Sequence, residues 1–590
     1  MTPNISTLWA EALVNELICQ GIRDFCIAPG SRSAPLALAC AEAAAKAQTS
    51  SGNGSVKIRL HIHFDERGLA YFALGLARSS GRPAALITTS GTAVANLLPA
   101  VTEAHLTHVP LILLTADRPP ELIGCGANQA IRQSGIFRDF TAGAWDMPVP
   151  TEEVPLRCVQ ETATRAVSTA VTASLPVHLN CPFREPLYPD QGDPAGENQQ
   201  AALERALRIA APAVPRFSGK PAPQEITGEP LELLSRCRLI IAGAHTTRED
   251  GQALLSLAER LGALIIPDVQ SQICQDPRVL LHSDLLETED FRILLQHAGT
   301  LLISGGHLVS GSLLRHLRTL DGTCRILLAE KHGDLLDPAF TASGLLTAAP
   351  GDLARAAAAL PRGSRPGEYL AILRKTAALE RAVQEELQGA ESFTEAHAIR
   401  QISSSATGLL FMGNSLPIRL YGTLAGPRED PAPRILASRG ASGIDGVIAA
   451  AAGAAADTTA PATLIIGDLS ALHDLNSLAL AKSSGLCVVI MNDHGGNIFS
   501  MLPGSSASVH LQRCFRLDHH HDFAPAAAMF GLEYRLITSA AELKAAYPPR
   551  ERRGMLLECR IPGWEGSASV MERIRKHAGV LISGMNCGHS

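Results

Sequence analysis

Short runs of apolar and β-branched residues alternate along the chain with Ala/Leu-rich stretches of helical spacing, the pattern of α/β folds with parallel sheets. In the first third, Phe25–Gly30, Ile58–Phe64, Pro83–Thr89, Val109–Asp117 and Leu175–Pro182 read as strands. A second set follows at Arg238–Gly243, Ala263–Asp268, Thr300–Gly306 and Arg325–Glu330. The third is Gly408–Asn414, Arg434–Ser438, Ala462–Asp468, Leu486–Asp493 and Gly554–Ile561. Between the first two sets, Pro186 to Pro230 holds eight prolines around one short helical stretch, Ala201–Ala210, and reads as a surface linker. A charged helical stretch, Pro366 to Gln401, leads into the third set. The pattern divides the chain into a first domain over 1–187, a Pro-rich linker over 188–228, a Rossmann-like domain over 229–365 and a last domain over 366–590. No sequence repeat is evident, although the first and third domains have a similar element order. Several strands end in Gly, Asn, Asp or Ser, and in open α/β sheets ligands sit at those carboxyl ends.

Composition narrows the function. A chain of 590 residues is too long for a single small binding module. Aromatic residues are only 4%, which leaves few stacking surfaces for single-stranded nucleic acid. The net charge of −6 lacks the basic footprint of a phosphate-backbone binder, so no nucleic-acid partner is expected. The longest apolar run, Val447 to Ala456, is closed by Asp457, and no membrane span is expected. The N-terminal stretch lacks a basic signal region and carries Glu11 and Glu16, so it reads as the first amphipathic helix of a cytoplasmic protein. Thirteen cysteines at irregular spacing, with no C-x-x-C, fit buried thiols better than a disulfide framework or zinc site.

Three stretches carry candidate chemistry. In Gly467–Phe499, Asp468 ends one strand and Asn492-Asp493 the next, which brings carboxylates to one sheet edge. With a backbone carbonyl near Gly495 they could hold a metal–diphosphate, since Mg²⁺ favours a few oxygen ligands, phosphate oxygens and water. Ordinary polar strand ends are the alternative. In Arg439–Gly453, small residues at a turn opening a helix would let backbone N–H groups approach an anion. The stretch fits neither a Walker loop nor a strict G-x-G-x-x-G, and tight packing explains it equally well. In His61–Pro119, Glu66 follows a strand and starts a Leu/Ala/Phe helix, where an apolar pocket would keep a proton available. A favourable helix-dipole interaction is the plainer account of a glutamate there.

The order of these features is distinctive: H-x-x-E at His63–Glu66, then Thr89–Asn96 (TSGTAVAN), a linker, a Rossmann-like unit and a GD…ND segment. It resembles the thiamine-diphosphate (ThDP) enzymes of the acetohydroxy-acid synthase and pyruvate decarboxylase type, with Gly467-Asp468-Leu469 in place of the usual G-D-G. Cys26–Ala39, Leu113–Gln133, Gly413–Arg419, Ser438–Gly446 and Gly467–Asn476 are similar to the quinone-pathway branch, which joins 2-oxoglutarate to isochorismate. The resemblance implies three consecutive parallel-sheet α/β domains, pyrimidine-binding, central Rossmann-like and diphosphate-binding. It also implies a homodimer with shared active sites, with further assembly to a homotetramer left open.

By the same resemblance, Glu66 matches the glutamate that hydrogen-bonds the cofactor's pyrimidine, and Ile444 the apolar wedge that keeps the cofactor bent. Asp468, Asp493 and the Gly495 carbonyl match ligands of Mg²⁺ or Mn²⁺. Asp493 stands where an asparagine is usual, and the neighbouring Asn492 leaves that ligand open by one position. Ser415, Gly467, Leu469, Ser470, Asn497, Ile498 and Phe499 complete the implied cofactor contacts. The implied substrates are both anionic, and guanidinium forks bind carboxylates bidentately. Arg32, Arg118, Arg419 and Arg439 are the expected anchors, with Ser31, Asn128, Gln129 and Ser415 as hydrogen-bonding neighbours; Glu66, the four arginines and Gln129 form the implied catalytic set. A lysine usual after the third central strand is missing from Gly305–Leu317, where Gly311 falls near its place and Arg315 is a weak substitute. His61 and His63 read as strand residues, and His519–His521 as a solvated loop. The implied reaction is decarboxylation of 2-oxoglutarate and 1,4-addition of the succinyl-semialdehyde carbanion to isochorismate. Another ThDP-dependent 2-oxoacid decarboxylase or acetohydroxy-acid synthase-like carboligase is the rival, and a non-catalytic nucleotide-binding protein the reading from a different class.

Overall fold

The computed structural model describes residues 4–49, 57–189, 195–198, 200–201, 203–204, 225–320, 324–430, 432–501, 509–548, 554–561 and 566–587. Much of the 188–228 linker, with most of Ala201–Ala210, therefore lies outside the described residues.

Three sheets, each wholly parallel, follow one another along the chain. The first contains β1 (Asp24–Ile27), β2 (Arg59–Ile62), β3 (Ala84–Thr88), β4 (Leu111–Asp117), β5 (Gly143–Asp146) and β6 (Val177–Pro182), in the order β2-β1-β3-β4-β6-β5. The second contains β7 (Cys237–Ala242), β8 (Leu264–Pro267), β9 (Thr300–Ser304), β10 (Arg325–Ala329) and β11 (Gly344–Leu346), in the order β11-β10-β9-β7-β8. The third contains β12 (Leu409–Met412), β13 (Arg434–Leu436), β14 (Ala462–Gly467), β15 (Cys487–Asn492), β16 (Glu533–Ile537) and β17 (Met555–Arg560), in the order β13-β12-β14-β15-β17-β16. The outer sheets thus share one strand permutation, and the central sheet follows the same winding with one strand fewer. Inner strands such as β4 and β14 are buried on both faces, which is why they read as unbroken apolar runs.

Three strands were not expected from the sequence: β5, β11 and β16. Each lies at a sheet edge. An edge strand has one neighbour and a partly exposed face, so Gly143-Ala-Trp-Asp146 and Glu533-Tyr-Arg-Leu-Ile537 carry polar residues and lack the apolar run that marks a buried strand. The charged stretch before the third sheet forms two helices, Gly367–Gln388 and Glu395–Ser405, rather than one.

By compactness the chain forms two units. One comprises residues 1–222, 440–457 and 476–484; the other comprises 223–439, 458–475 and 485–590. The first unit therefore contains the first sheet together with the helix Val447–Ala456. That helix packs backbone against backbone on the helix Glu66–Ser80. A Cβ on Gly75 would lie 1.8 Å from the Ala450 carbonyl oxygen, and one on Gly453 would lie 2.0 Å from that of Phe72. Only glycine permits this approach, so the small-residue run Val447–Ala456 is a buried helix whose register on the Glu66 helix is fixed at two points. In the second unit one apolar core includes Leu239 and Ile266 of the central sheet with Leu410 and Ile465 of the third. Among the described residues no helix is long and apolar enough to cross a membrane.

Candidate active site

In each outer sheet the strand order reverses between the first and third strands in sequence, which are adjacent, β1 with β3 and β12 with β14. Loops leaving opposite faces there open a crevice at the carboxyl strand ends. Most of the candidate residues follow these or adjacent strand ends. In the first unit Ser31 and Arg32 follow β1, Glu66 follows β2, and Arg118 follows β4.

Glu66 is the first residue of its helix and is half-buried. Asp65 is the N-cap: its Oδ1 accepts from the N–H groups of Arg67 and Gly68 at 2.9 and 3.3 Å, and its Oδ2 accepts from Asn476 Nδ2 at 2.7 Å. The glutamate backbone is thus held from both sides while its side chain remains available. Arg32, 7% exposed, donates to the Phe183 carbonyl at 3.0 Å and pairs with Glu185 at 3.2 Å. Arg118 donates to Ser90 Oγ. Burial and then the neighbouring Arg32 lower the Arg118 pKa, while Asp117 and Glu185 act against that shift. Gln129, at φ 55°, donates from Nε2 to the Ser90 carbonyl at 2.9 Å, while Asn128 and Ser31 are exposed.

Beneath these side chains lies a buried polar network that motif reasoning missed. Gln133, 1% exposed, accepts from the Gly91 N–H at 3.0 Å and donates to the Ala116 carbonyl and Asn180 Oδ1 at 3.1 and 3.0 Å. Asn180 in turn donates to Asp117 at 3.0 Å and Asp146 at 3.2 Å. Burial pushes the Asp117 carboxyl up and pushes His178, bonded to Thr115 Oγ1 at 2.7 Å, down to about 4, so the histidine is neutral. The network fixes the ends of β3, β4 and β6, and with them Ser90 and Arg118. In Gln133→Leu the Gly91 N–H and the Ala116 carbonyl would lose this side-chain partner at roughly 1–3 kcal/mol each, less relaxation, while Asn180 Oδ1 keeps Thr115 Oγ1 at 3.1 Å. The expected result is a fall of roughly 5–10 °C in the first calorimetric unfolding transition.

In the second unit the corner after β12 gathers the other two arginines. Asn414 Nδ2 donates to the Ser438 carbonyl at 2.9 Å and its Oδ1 accepts from Arg439 at 3.2 Å. Ser415, at φ 72°, caps the helix Leu416–Leu424, and its carbonyl accepts from Arg419 at 2.6 Å. A non-glycine residue at positive φ costs of order 1 kcal/mol and persists where its surroundings hold it. Gly467 caps the helix that Asp468 starts, with Leu469 half-buried and Ser470 buried.

Asp468 and Asp493 are 2% and 8% exposed. Asp468 Oδ1 accepts from the Leu469 N–H at 2.6 Å and Oδ2 from the Gly495 N–H at 3.1 Å. Asp493 accepts from three successive N–H groups, Gly495 at 3.1 Å, Gly496 at 2.6 Å and Asn497 at 2.8 Å. Burial and then the adjacent Asp493 carboxylate push the Asp468 pKa far above the ordinary aspartate value. Among the described residues no lysine or arginine pairs with either, and no group of three His, Cys, Asp or Glu side chains is arranged to hold a metal by itself. The pair suits a divalent cation that draws its remaining ligands from backbone and phosphate oxygens. The Gly495 carbonyl accepts from the Leu517 N–H at 3.2 Å and has a second lone pair to offer. Asn492 is engaged elsewhere, its Nδ2 donating to Glu558 at 2.8 Å and the His521 carbonyl at 3.1 Å.

Asn497 Nδ2 donates to Glu395 Oε1 at 3.2 Å, and Glu395 also receives Ser567 Oγ. Ile498 packs against the unit's core, and Phe499 lies 5.4 Å from Phe515 between ring centroids. The expectation of a solvated loop at His519–His521 needs correction for its first member. His519 Nε2 lies 3.0 Å from Asp468 Oδ2, because Glu558 anchors the loop through the Phe523 N–H at 2.8 Å. Only His520 and His521 are exposed. His61 bonds Asp24 at 3.0 Å within β2, whereas His63 lies just past the strand. Arg315 is exposed on the helix Gly311–Leu317. Ile444, by contrast, belongs to the first unit and is 40% exposed.

Residues 9–136 match the family model described as the thiamine pyrophosphate enzyme N-terminal TPP binding domain, and residues 230–412 match the middle domain of thiamine pyrophosphate enzymes. Among similar proteins, one of Shewanella frigidimarina is 40% identical over 561 residues, covering 92% of this chain and 93% of its own. One of Aeromonas salmonicida is 39% identical over 588 residues, 98% of both chains, and one of Shewanella amazonensis 41% over 550 residues, 90% of both. All three carry the name 2-succinyl-5-enolpyruvyl-6-hydroxy-3-cyclohexene-1-carboxylate synthase.

Proposed function

The chain belongs to the 2-succinyl-5-enolpyruvyl-6-hydroxy-3-cyclohexene-1-carboxylate synthase family, and from that premise we propose how its own residues perform the reaction. It is a ThDP-dependent enzyme of menaquinone biosynthesis, and it joins the four-carbon remainder of 2-oxoglutarate, after loss of CO₂, to isochorismate by 1,4-addition. ThDP supplies the electron sink that lets a 2-oxoacid lose CO₂. Every other task falls to the protein. Asp468, Asp493 and the Gly495 carbonyl would hold Mg²⁺ or Mn²⁺, and Gly467, Leu469, Ser470, Ser415 and Asn497–Phe499 would contact the cofactor. Glu66 holds and moves a proton at its carboxylate, and Ile444 presses an apolar side chain against the cofactor. Arg32 and Arg118, with Ser31, Asn128 and Gln129, bind carboxylate in one unit; Arg419 and Arg439 do so in the other.

The observation that carries this reading is the Asp468–Asp493 pair, two buried carboxylates in mutual contact that no lysine or arginine pairs with among the described residues, and whose one basic neighbour, His519 on Asp468, has its pKa lowered by burial. Such a pair is stable as a cation site and costly otherwise. We also propose a homodimer that shares its active sites. Cys26, Cys40, Cys181, Cys237, Cys324, Cys487 and Cys559 are buried free thiols, which supports a location in the reducing cytoplasm. Mass spectrometry of products from 2-oxoglutarate plus isochorismate tests the assignment. The expected product has the summed mass less CO₂ and forms only with ThDP and divalent metal present. Equal CO₂ release from pyruvate and 2-oxoglutarate would instead favour an acetohydroxy-acid synthase-like carboligase.

A further inference from the structure

The turn Gly440–Gly446 is held in a conformation that its own sequence does not favour. Ser442 lies at φ 61°, a left-handed conformation that serine seldom adopts, whereas Gly446 takes its φ of 62° without strain. Strained turns of this kind persist only where the surroundings over-determine them. At the apex stands Ile444, 40% exposed although most isoleucines of the chain are buried. Packing of the core does not account for a strained turn that projects an isoleucine outward.

Two side chains of the first unit supply the constraint. Glu103, on the helix Leu98–Leu106, is 1% exposed. Its Oε1 accepts from the Gly440 N–H at 2.9 Å and its Oε2 from the Ala441 N–H at 2.7 Å. Among the described residues no lysine or arginine pairs with this carboxylate, so both oxygens are committed to the turn. At the other end, Tyr71 OH donates to Asp445 Oδ2 at 2.8 Å, and its ring lies against Gly446 so closely that a Cβ there would meet it at 1.9 Å. Gly440 is equally confined, a Cβ there meeting Leu106 Cβ at 2.7 Å. The turn is therefore clamped at both feet while its apex is left free.

We propose that Glu103, assisted by Tyr71, is a positioning residue that sets the height and direction of Ile444 for contact with the cofactor. A buried carboxylate bound only to backbone N–H groups confers rigidity at the cost of desolvation, and charge-assisted bonds to two successive N–H groups fix a peptide plane more firmly than neutral ones do. Glutamine at this position offers one acceptor and turns an N–H₂ donor toward the second N–H. The helix would keep its packing, and the turn would lose half its clamp. This proposal rests on the reading of Ile444 as a cofactor contact.

The test is a double-mutant cycle read by calorimetric titration of ThDP into the full-length apoprotein with Mg²⁺ present. Glu103→Gln is expected to raise the ThDP Kd roughly tenfold, with the apoprotein melting temperature almost unchanged. Tyr71→Phe, which removes one hydroxyl and keeps the ring, is expected to raise it by a smaller factor and carries the test if the Glu103 variant folds poorly. In an Ile444→Ala background neither change should weaken ThDP binding further, because the group they position is gone. An unchanged Kd in both single variants overturns the proposal, as does the same fold-change with and without Ile444. Ile444→Ala binding ThDP like the unaltered protein would remove the wedge reading itself, while ThDP binding by the unaltered chain still reports separately on the family assignment.

Discussion

Glu66→Gln is expected to lower turnover by roughly 10²–10³-fold while leaving the fold and most ThDP affinity intact. The size follows from what a positioned proton donor and acceptor contributes, typically 10²–10⁴-fold. Glutamine preserves the size of the side chain and its capacity to hydrogen-bond, but it cannot exchange a proton between two charge states. Glu66 is well placed for that task because the local sequence separates its duties from those of its neighbour. Asp65 caps the helix through the Arg67 and Gly68 N–H groups, so Glu66 is not needed to satisfy them. Its one structural contribution is a negative charge at a helix N-terminus, worth about 0.3–1 kcal/mol, so the melting temperature should scarcely move. Steady-state CO₂ release from 2-oxoglutarate, together with calorimetric ThDP binding, checks both halves. Undiminished turnover with cofactor bound would contradict the role given to Glu66. A parallel loss of stability would mean that the substitution had damaged the helix start instead.

The same separation explains how much could be read from the chain. Buried parallel strands are legible because both faces are apolar, and all the inner strands of the three sheets were found from that signal. The edge strands β5, β11 and β16 were not, since an edge strand needs only one partner and one covered face. Chemistry-bearing residues at strand ends stood out through their motifs: Glu66, Arg118, Arg439 and Asp468 all follow strands or open helices as the spacing implied. The residues that hold them in place did not. Gln133 forms its bonds to positions 17, 42 and 47 residues distant, and Glu103 reaches positions more than 330 residues away. A partner so remote leaves no local periodicity, and a single buried Gln or Glu looks in sequence like a surface residue. Asn492 and Asp493 illustrate the same point at one-residue resolution. Sequence left both open, and it is remote and loop contacts that distinguish their surroundings, Asn492 tied to Glu558 on β17 and Asp493 to the Gly495, Gly496 and Asn497 N–H groups.

Charge offers a further lesson. The chain is acidic, at −6, yet its expected ligands are anions. Resolving that contrast takes only locally placed guanidiniums, because screening confines charge effects to about 10 Å at ordinary ionic strength. Arg32 and Arg118 are close enough for one to lower the other's pKa, a mutual repulsion that a bound carboxylate would relieve.

The converse arrangement, two buried carboxylates that we propose bind a cation, leads to the other large expected effect. Asp468→Asn should weaken metal-dependent ThDP retention by roughly 100-fold or more, since it removes one of two side-chain charges in a site that has only two. Asp493→Asn should cost much less. An amide oxygen can still accept from the Gly495 and Gly496 N–H groups that Oδ1 holds, losing only the Oδ2 bond to the Asn497 N–H, and asparagine is the residue the resemblance leads one to expect there. The second variant should lower the affinity for Mg²⁺ and Mn²⁺ alike by a smaller factor, because the extra charge of Asp493 strengthens binding of any divalent ion. Exhaustive chelation followed by gel filtration, then titration of ThDP at fixed Mg²⁺ or Mn²⁺, measures both. Activity of the unaltered enzyme should fall to background after chelation and return on adding either ion. Equal weakening by the two substitutions would mean that Asp493 is as indispensable a ligand as Asp468. If Asp468→Asn retained ThDP at ordinary metal concentration, the cation would have to lie elsewhere, and the buried pair would need a different physical account.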